Sequence, residues 1–258
     1  MTTRRLNRIF QPDGRALIVA CDHGMISGPD QGIENMNDTL TQVIAGGVDA
    51  VMASYGTARR FAKKLARVGL VLRIDGGGTI LGPMDGPGAQ FFTVEAALRL
   101  GADALCVSAF PGSAVEEPTL EVLARVIRQA HAWGLPVMAE MVPGGFDSGP
   151  EFRTLDSLKV SARLAAELGA DWVKIPYGEG FEQVVASCYV PVVVLGGPPK
   201  ADPRRTLEMV KAGMLAGGVG AVVGRNIWKA AHPAKMAAAL SAIIHQAATV
   251  AEALERLE

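Results

Sequence analysis

Apolar residues recur along this chain in two patterns. Short, nearly unbroken runs alternate with longer stretches in which apolar positions return every third or fourth residue. Runs of the first kind, rich in Val, Ile, Leu and Ala, read as strands buried on both faces, and the second pattern reads as amphipathic helix. The predicted strands are Leu17–Cys21, Asp49–Ala53, Leu70–Ile74, Ala104–Ala109, Pro136–Met141, Asp171–Ile175, Pro191–Leu195 and Gly220–Val223. Helical periodicity fills the intervals at Ile33–Ala45, Thr57–Val68, Thr93–Leu100, Thr119–Ala132, Thr154–Leu168, Gly180–Ala186, Pro203–Ala216 and Pro233–Leu254. Gly101, Gly134 and Gly169 stand just before strands, where glycine ends a helix by accepting a left-handed cap.

Eight strand-then-helix units predict an α/β fold, a (β/α)8 TIM barrel. No Pro/Gly/Ser-rich linker divides them, so residues 1–258 read as one domain with a C-terminal helix. The competing architecture, a doubly wound open sheet, expects Gly-x-Gly-x-x-Gly after its first strand, and this chain has Cys21-Asp22-His23-Gly24 there.

Composition narrows the function classes. The 258 residues are 49% hydrophobic and 20% charged, with a formal net charge of -1, which leaves no electrostatic footprint for nucleic acid or an anionic membrane. No apolar run is long enough to span a bilayer, and Met1-Thr2-Thr3-Arg4-Arg5-Leu6 lacks the apolar segment of a secretion signal. Cys21, Cys106 and Cys188 are widely spaced, in neither a zinc nor a disulfide pattern, so a reducing cytoplasm is the expected setting.

The candidate chemistry begins with Lys174 in the apolar run Asp171-Trp172-Val173-Lys174-Ile175-Pro176. An ammonium is costly to desolvate, so a lysine inside a strand either has an acidic partner or serves as an amine nucleophile. In a barrel of this kind the reacting groups gather at the C-terminal strand ends. Those ends carry Asp22-His23-Gly24, Asp75-Gly76-Gly77-Gly78, Glu140, Tyr177 beyond Lys174, Gly196-Gly197-Pro198-Pro199-Lys200, and Gly224-Arg225-Asn226. Glycine-rich turns after strands seven and eight are the usual phosphate site of the fold, so Gly196, Gly197, Gly224 and Arg225 are candidate phosphate ligands. Gly76 and Gly77 could add N–H donors.

Asp22 reads either as a proton carrier or as an Asx-type loop cap. His23 points the other way along a continued strand and reads as a loop hydrogen-bonder. Strand alternation puts Met138, Glu140 and Val142 on one face, so Glu140 enters the interior, where Lys174 on the adjacent strand is its expected partner. That pair serves burial alone or shuttles a proton.

Four segments carry a family resemblance: Leu17–Gly24, Asp171–Tyr177, Pro191–Pro198 and Val223–Trp228. Together they resemble the class I, Schiff-base aldolases, in the group of archaeal-type fructose-bisphosphate aldolase, aminodideoxyheptulosonate synthase and phospho-autoinducer-2 thiolase. The resemblance implies an imine on Lys174, proton transfer by Asp22, substrate phosphate on the Gly196-Gly197 and Gly224-Arg225 loops, and a large homo-oligomer, often decameric. It implies no metal or organic cofactor.

Two departures stand out. Sugar-bisphosphate aldolases of this group place a tyrosine acid after strand five, and Met141-Val142-Pro143-Gly144-Gly145 has Val142 there. A small residue at that place, and the stretch Gly180–Ala186, resemble the thiolase branch. A lysine that follows Gly-Gly-Pro in some relatives is Pro199 here, with Lys200 one position later.

The expected function is therefore a class I aldolase or related carbon–carbon lyase or thiolase acting on a phosphorylated ketose or ketone. Lys174 and Asp22 lead, with Glu140 or Tyr177 as second acid/base. The alternatives are a sugar-phosphate isomerase or epimerase using Asp22, Asp75 or Glu140 as bases, and a non-catalytic phosphosugar-binding barrel. Trp228 and the Met-containing stretch Pro233–Leu240 are candidate subunit contacts.

Overall fold

Each apolar run forms a strand within one residue of its expected bounds. In a computed structural model that describes residues 4–82, 86 and 88–258, the strands are β1 (Ala16–Ala20), β2 (Ala50–Ala53), β3 (Gly69–Arg73), β4 (Ala104–Ala109), β5 (Val137–Met141), β6 (Trp172–Pro176), β7 (Val192–Leu195) and β8 (Gly220–Val223). All neighbours pair in parallel, and Ala16 opposite Gly220 closes the sheet into a barrel. The start of the chain read for a secretion signal, Met1–Thr3, lies outside the described residues.

Alternation along the strands divides the apolar residues into two cores. One fills the barrel and includes Ile18, Met52, Val71, Cys106, Met138, Trp172, Val193 and Val222. The other lies between the strands and the surrounding helices, with Leu17, Val51, Leu72, Leu105, Val137 and Val173 on the strand side. Parallel strands covered on both faces need apolar side chains on both, which is why the sequence runs are unbroken. The N-terminal end of the barrel is plugged by Ile9, fully buried, and by Phe10, whose ring meets Trp172 edge-on at 5.6 Å.

The helices differ more from expectation than the strands do. Thr57–Val68 is split into Tyr55–Arg60 and Ala62–Leu65. Pro233–Leu254 breaks into Pro233–His245 and Val250–Glu255, with Ala247 at φ 54 between them and Thr249 and Glu252 forming a capping box on the second piece. The loop after β3 folds into a small hairpin, Asp75–Gly76 against Ala89–Gln90. Among the described residues no helix is long and apolar enough to cross a membrane.

Candidate active site

A polar layer sits directly above the apolar filling of the barrel. Moving two residues toward the C-terminal end keeps the same face of a strand. From Ala20, Val71, Cys106, Met138 and Trp172, all in the interior core, that step reaches Asp22, Arg73, Ser108, Glu140 and Lys174. All five are buried, Lys174 to 4% exposure and Glu140 to 3%. Glu140 and Lys174 are register partners on adjacent strands, and so are Ser108 and Glu140.

Arg73 holds the layer together. Its Nε donates to Asp22 at 2.8 Å, its Nη1 to Asp75 at 3.2 Å and to Ser108 Oγ at 2.6 Å, and its Nη2 to Glu140. Glu140 in turn forms an ion pair with Lys174 Nζ and accepts a hydrogen bond from Ser108 Oγ at 3.2 Å. The Ser108 N–H donates to the far oxygen of Asp75 at 2.8 Å. Three carboxyls and two cations thus share one buried network, each with a partner, as burial of charge demands.

The carboxyls are pushed apart by their surroundings. Burial works to raise Asp22, but the guanidinium charge of Arg73, then His23 and Lys174, together outweigh it, and the group ends far below the usual carboxylate range. Burial also opposes ionisation of Glu140, and the charges of Lys174 and then Arg73 bring it down to about 2. Asp75 goes the other way: burial lifts it above the ordinary value in spite of Arg73 and the Ser108 N–H.

The turns after β7 and β8 are fastened to each other by Asn226. Its amide donates to the Gly196 and Pro198 carbonyls, both at 3.0 Å, and its Oδ1 accepts from the Lys200 N–H at 2.8 Å. Glycine is required where these turns close on the strands. A Cβ on Gly196 would stand 2.9 Å from Val223 Cα, and one on Gly224 would stand 2.9 Å from the Ala20 carbonyl oxygen. The Gly196 N–H is already given to the Val222 carbonyl at 3.0 Å, so it is not a spare anion donor. Arg225 is half-buried, and its Nε is enclosed without a hydrogen-bond partner among the described residues. Burial lowers its pKa against the pull of Asp30 and Asp147.

The family model for DeoC/LacD family aldolase matches residues 16–230. The chain belongs to this family. It is 36% identical to 2-amino-3,7-dideoxy-D-threo-hept-6-ulosonate synthase of Halobacterium salinarum, covering 98% of this chain and 95% of that one. Identity to synthase 1 of the same name from Archaeoglobus fulgidus is 35%, covering 98% and 94%. Among solved structures, a Schiff-base-forming fructose-1,6-bisphosphate aldolase superposes with a TM-score of 0.84 at 32% identity, covering 93% of this chain and 98% of that one. The chain is a class I aldolase-type lyase.

Not every candidate residue of this aldolase meets at the lysine. Tyr177 follows Pro176 on the outward side of β6, its ring 5.3 Å from Phe181 and next to Gly213 on the helix Pro203–Leu215. Gly76 packs against the Phe91 ring and Gly77 against Gly88, within the hairpin after β3 rather than beside the β7 and β8 turns. His23 makes no hydrogen bond through Nδ1. That atom lies 3.5 Å from Asp22, and the ring meets Trp228 edge-on at 5.4 Å. The Asp22 side chain is spent on Arg73 and not on a loop cap. Val142 is buried just past β5.

Arg73 is the residue that sequence reasoning passed over. Its signal was available, a charge inside the apolar run Leu70-Val71-Leu72-Arg73-Ile74, the same signal that singled out Lys174. Among the described residues no cluster of three or more His, Cys, Asp or Glu is arranged to hold a metal ion.

Proposed function

We propose that this aldolase makes or breaks a carbon–carbon bond of a phosphorylated ketose or ketone through an imine on Lys174. One observation carries the reading: among the described residues Lys174 is the buried lysine, inside the barrel and ion-paired with Glu140. A lysine placed beside a carboxylate has a proton acceptor within reach. Transfer of the ammonium proton to Glu140 leaves a neutral amine to attack the substrate carbonyl. It also removes the charge that holds Glu140 down, so Glu140 can return the proton to the carbinolamine hydroxyl, which leaves as water. The iminium then accepts the electron pair of the breaking C–C bond as an enamine, while the hydroxyl that becomes the aldehyde gives its proton to Glu140, ionised again after the dehydration. Protonation at carbon and addition of one water release the product and restore Lys174.

Arg73 changes the part expected of Asp22. A carboxylate held so firmly ionised is a weak base, and its use is to stabilise the iminium charge and orient the substrate hydroxyl. Proton traffic falls to Glu140. Asp75, raised by burial, is the carboxyl of the network most ready to hold a proton.

Arg225 and the turns after β7 and β8 are assigned to the substrate phosphate. The unpartnered Nε of Arg225 supports this, because a buried donor without an acceptor matches an anionic ligand. Gly197 and Gly224 act with it, and Gly196 acts through its lack of a side chain. We also assign self-association into a homo-oligomer, supported by the exposed apolar side chains of Val160, Tyr189 and Leu215 and not by the expected Trp228 and Pro233–Leu240, whose Trp228, Met236 and Leu240 are buried within the fold, and residence in a reducing cytoplasm, supported by three unpaired cysteines.

The test is Lys174→Arg, which keeps a cation for Glu140 and so preserves the ion pair. Aldol cleavage should fall by about 10³-fold or more. Turnover within about tenfold of wild type contradicts an imine mechanism.

A further inference from the structure

The mouth of the barrel is electrically lopsided. Over β7 and β8 it carries Lys200, Arg225 and Lys229. Over β4 and β5, residues 110–124 and 141–152 hold no Lys, Arg or His but hold Glu116, Glu117, Glu121, Asp147 and Glu151, and the next cation, Arg153, gives its Nη2 to the Ser148 carbonyl at 3.3 Å. An open cleft lies on that cation-poor side. Its floor is the polar layer itself, Asp22, Arg73, Asp75 and Ser108. Its walls are the apolar side chains of Met25, Ile26, Phe91, Phe110, Val122 and Phe146, with Thr119 and the glycines of the hairpin after β3 between them. Phe110 and Phe146 meet edge-on at 5.1 Å, and Phe91 and Phe146 remain 50% and 42% exposed, so aromatic surface is left open to whatever enters.

Taking the lysine and phosphate assignments above as given, we infer that the substrate fragment on the far side of the reacting bond is uncharged and apolar. The aldolase therefore joins, or releases, an apolar aldehyde instead of one that carries a second phosphate.

Three observations support this. Among the described residues lining the cleft the one cation is Arg73, already committed to Asp22, Asp75, Ser108 and Glu140, so it has no face left for a phosphate. The floor presents the Asp22 carboxylate, whose charge opposes a phosphate dianion. The aromatic rings would desolvate such a group and give it no hydrogen bond themselves, which disfavours it on that wall. An alkyl or aryl group, in contrast, gains by burying surface there. In the synthetic direction the enamine carbon bonds to the aldehyde carbon, the aldehyde oxygen takes one proton, and one water hydrolyses the resulting iminium.

The experiment compares two ligands and two acceptors on the wild-type enzyme. Calorimetric affinity for 1-hydroxy-2-hexanone phosphate, which ends in an alkyl chain, should exceed that for fructose 1,6-bisphosphate by about tenfold or more. With dihydroxyacetone phosphate as donor, kcat/KM for butanal should exceed that for glyceraldehyde 3-phosphate by a similar factor of about ten. Phe146→Arg and Met25→Lys should each narrow both gaps. Equal or tighter binding of the bisphosphate, or equal or better turnover of the phosphorylated aldehyde, overturns the inference. 1-Hydroxy-2-hexanone phosphate has no hydroxyl at the reacting bond and cannot be cleaved, so its binding and its borohydride adduct on Lys174 keep failure of the imine reading distinguishable from failure of this one.

Discussion

Lys174 and Glu140 stand opposite each other on β6 and β5, and their side chains form an ion pair inside the barrel. The register makes the pair intrinsic to the sheet rather than a product of loop placement. Replacing the carboxylate by its amide should therefore act on proton transfer while keeping the shape. Glu140→Gln is expected to lower kcat by about 10² to 10⁴, with a much smaller change in KM, as steady-state kinetics would show. An unchanged kcat would reduce the pair to a device for satisfying burial.

Arg73 ties three carboxyls together, so its removal should be felt in both stability and chemistry. Arg73→Met strands buried carboxylates without a cation and should cost about 3–5 kcal/mol in denaturant unfolding. Arg73→Lys restores a charge without the fork geometry. In that variant the pKa of Asp22 should rise, and the acid limb of the pH–rate profile should move to higher pH.

Acid should weaken the fold through the same network. Glu140 is depressed from 4.5 to about 2 and Asp22 is also depressed, so the folded state binds fewer protons than the unfolded chain. Their contribution is complete above the unfolded values and is lost as pH falls toward about 2. Urea titrations between about pH 5 and about pH 3 should show this loss, reduced in Glu140→Gln.

A second pH dependence, of opposite sign, belongs to the other end of the barrel. His245 bridges Asp13 at 2.8 Å and Asp49 at 2.9 Å, and Asp49 also accepts from the Leu17 N–H at the start of β1. The hydrogen bond to Asp49 raises the His245 pKa above 6.5 against burial, with Asp13 adding. The stability it supplies is complete below 6.5 and is lost as pH rises through the folded value. His245→Gln should flatten the stability curve between about pH 6 and about pH 8, read by thermal unfolding.

Arg225 is expected to act on binding more than on the chemical step. Arg225→Met should raise KM for a phosphorylated ketone by about tenfold or more and leave KM for its unphosphorylated analogue nearly unchanged. Equal effects on both would remove phosphate from that loop.

The strands were legible because parallel strands covered on both faces leave unbroken apolar runs, and each was placed to within a residue. Lys174 and Glu140 were legible for the complementary reason: a charge in such a run, and a period of two that turns it inward. Arg73 carried the same mark and was read only as part of a strand, so the centre of the network was missed. The hairpin that carries Gly76 and Gly77 is not legible in the sequence, because its partner, Ala89–Gln90, lies across a loop. Tyr177 was grouped with Lys174 by proximity in sequence, although an odd offset along a strand turns a side chain to the opposite face. The break at Ala247 in the C-terminal helix has no glycine or proline to announce it.

The central claim is the covalent role of Lys174, and borohydride reduction in the presence of dihydroxyacetone phosphate, followed by peptide mass mapping, tests it most directly. The account predicts one stable adduct, on the peptide that contains Lys174, and none in Lys174→Arg. An adduct on another lysine, or no adduct at saturating ligand while aldol cleavage proceeds, would contradict it.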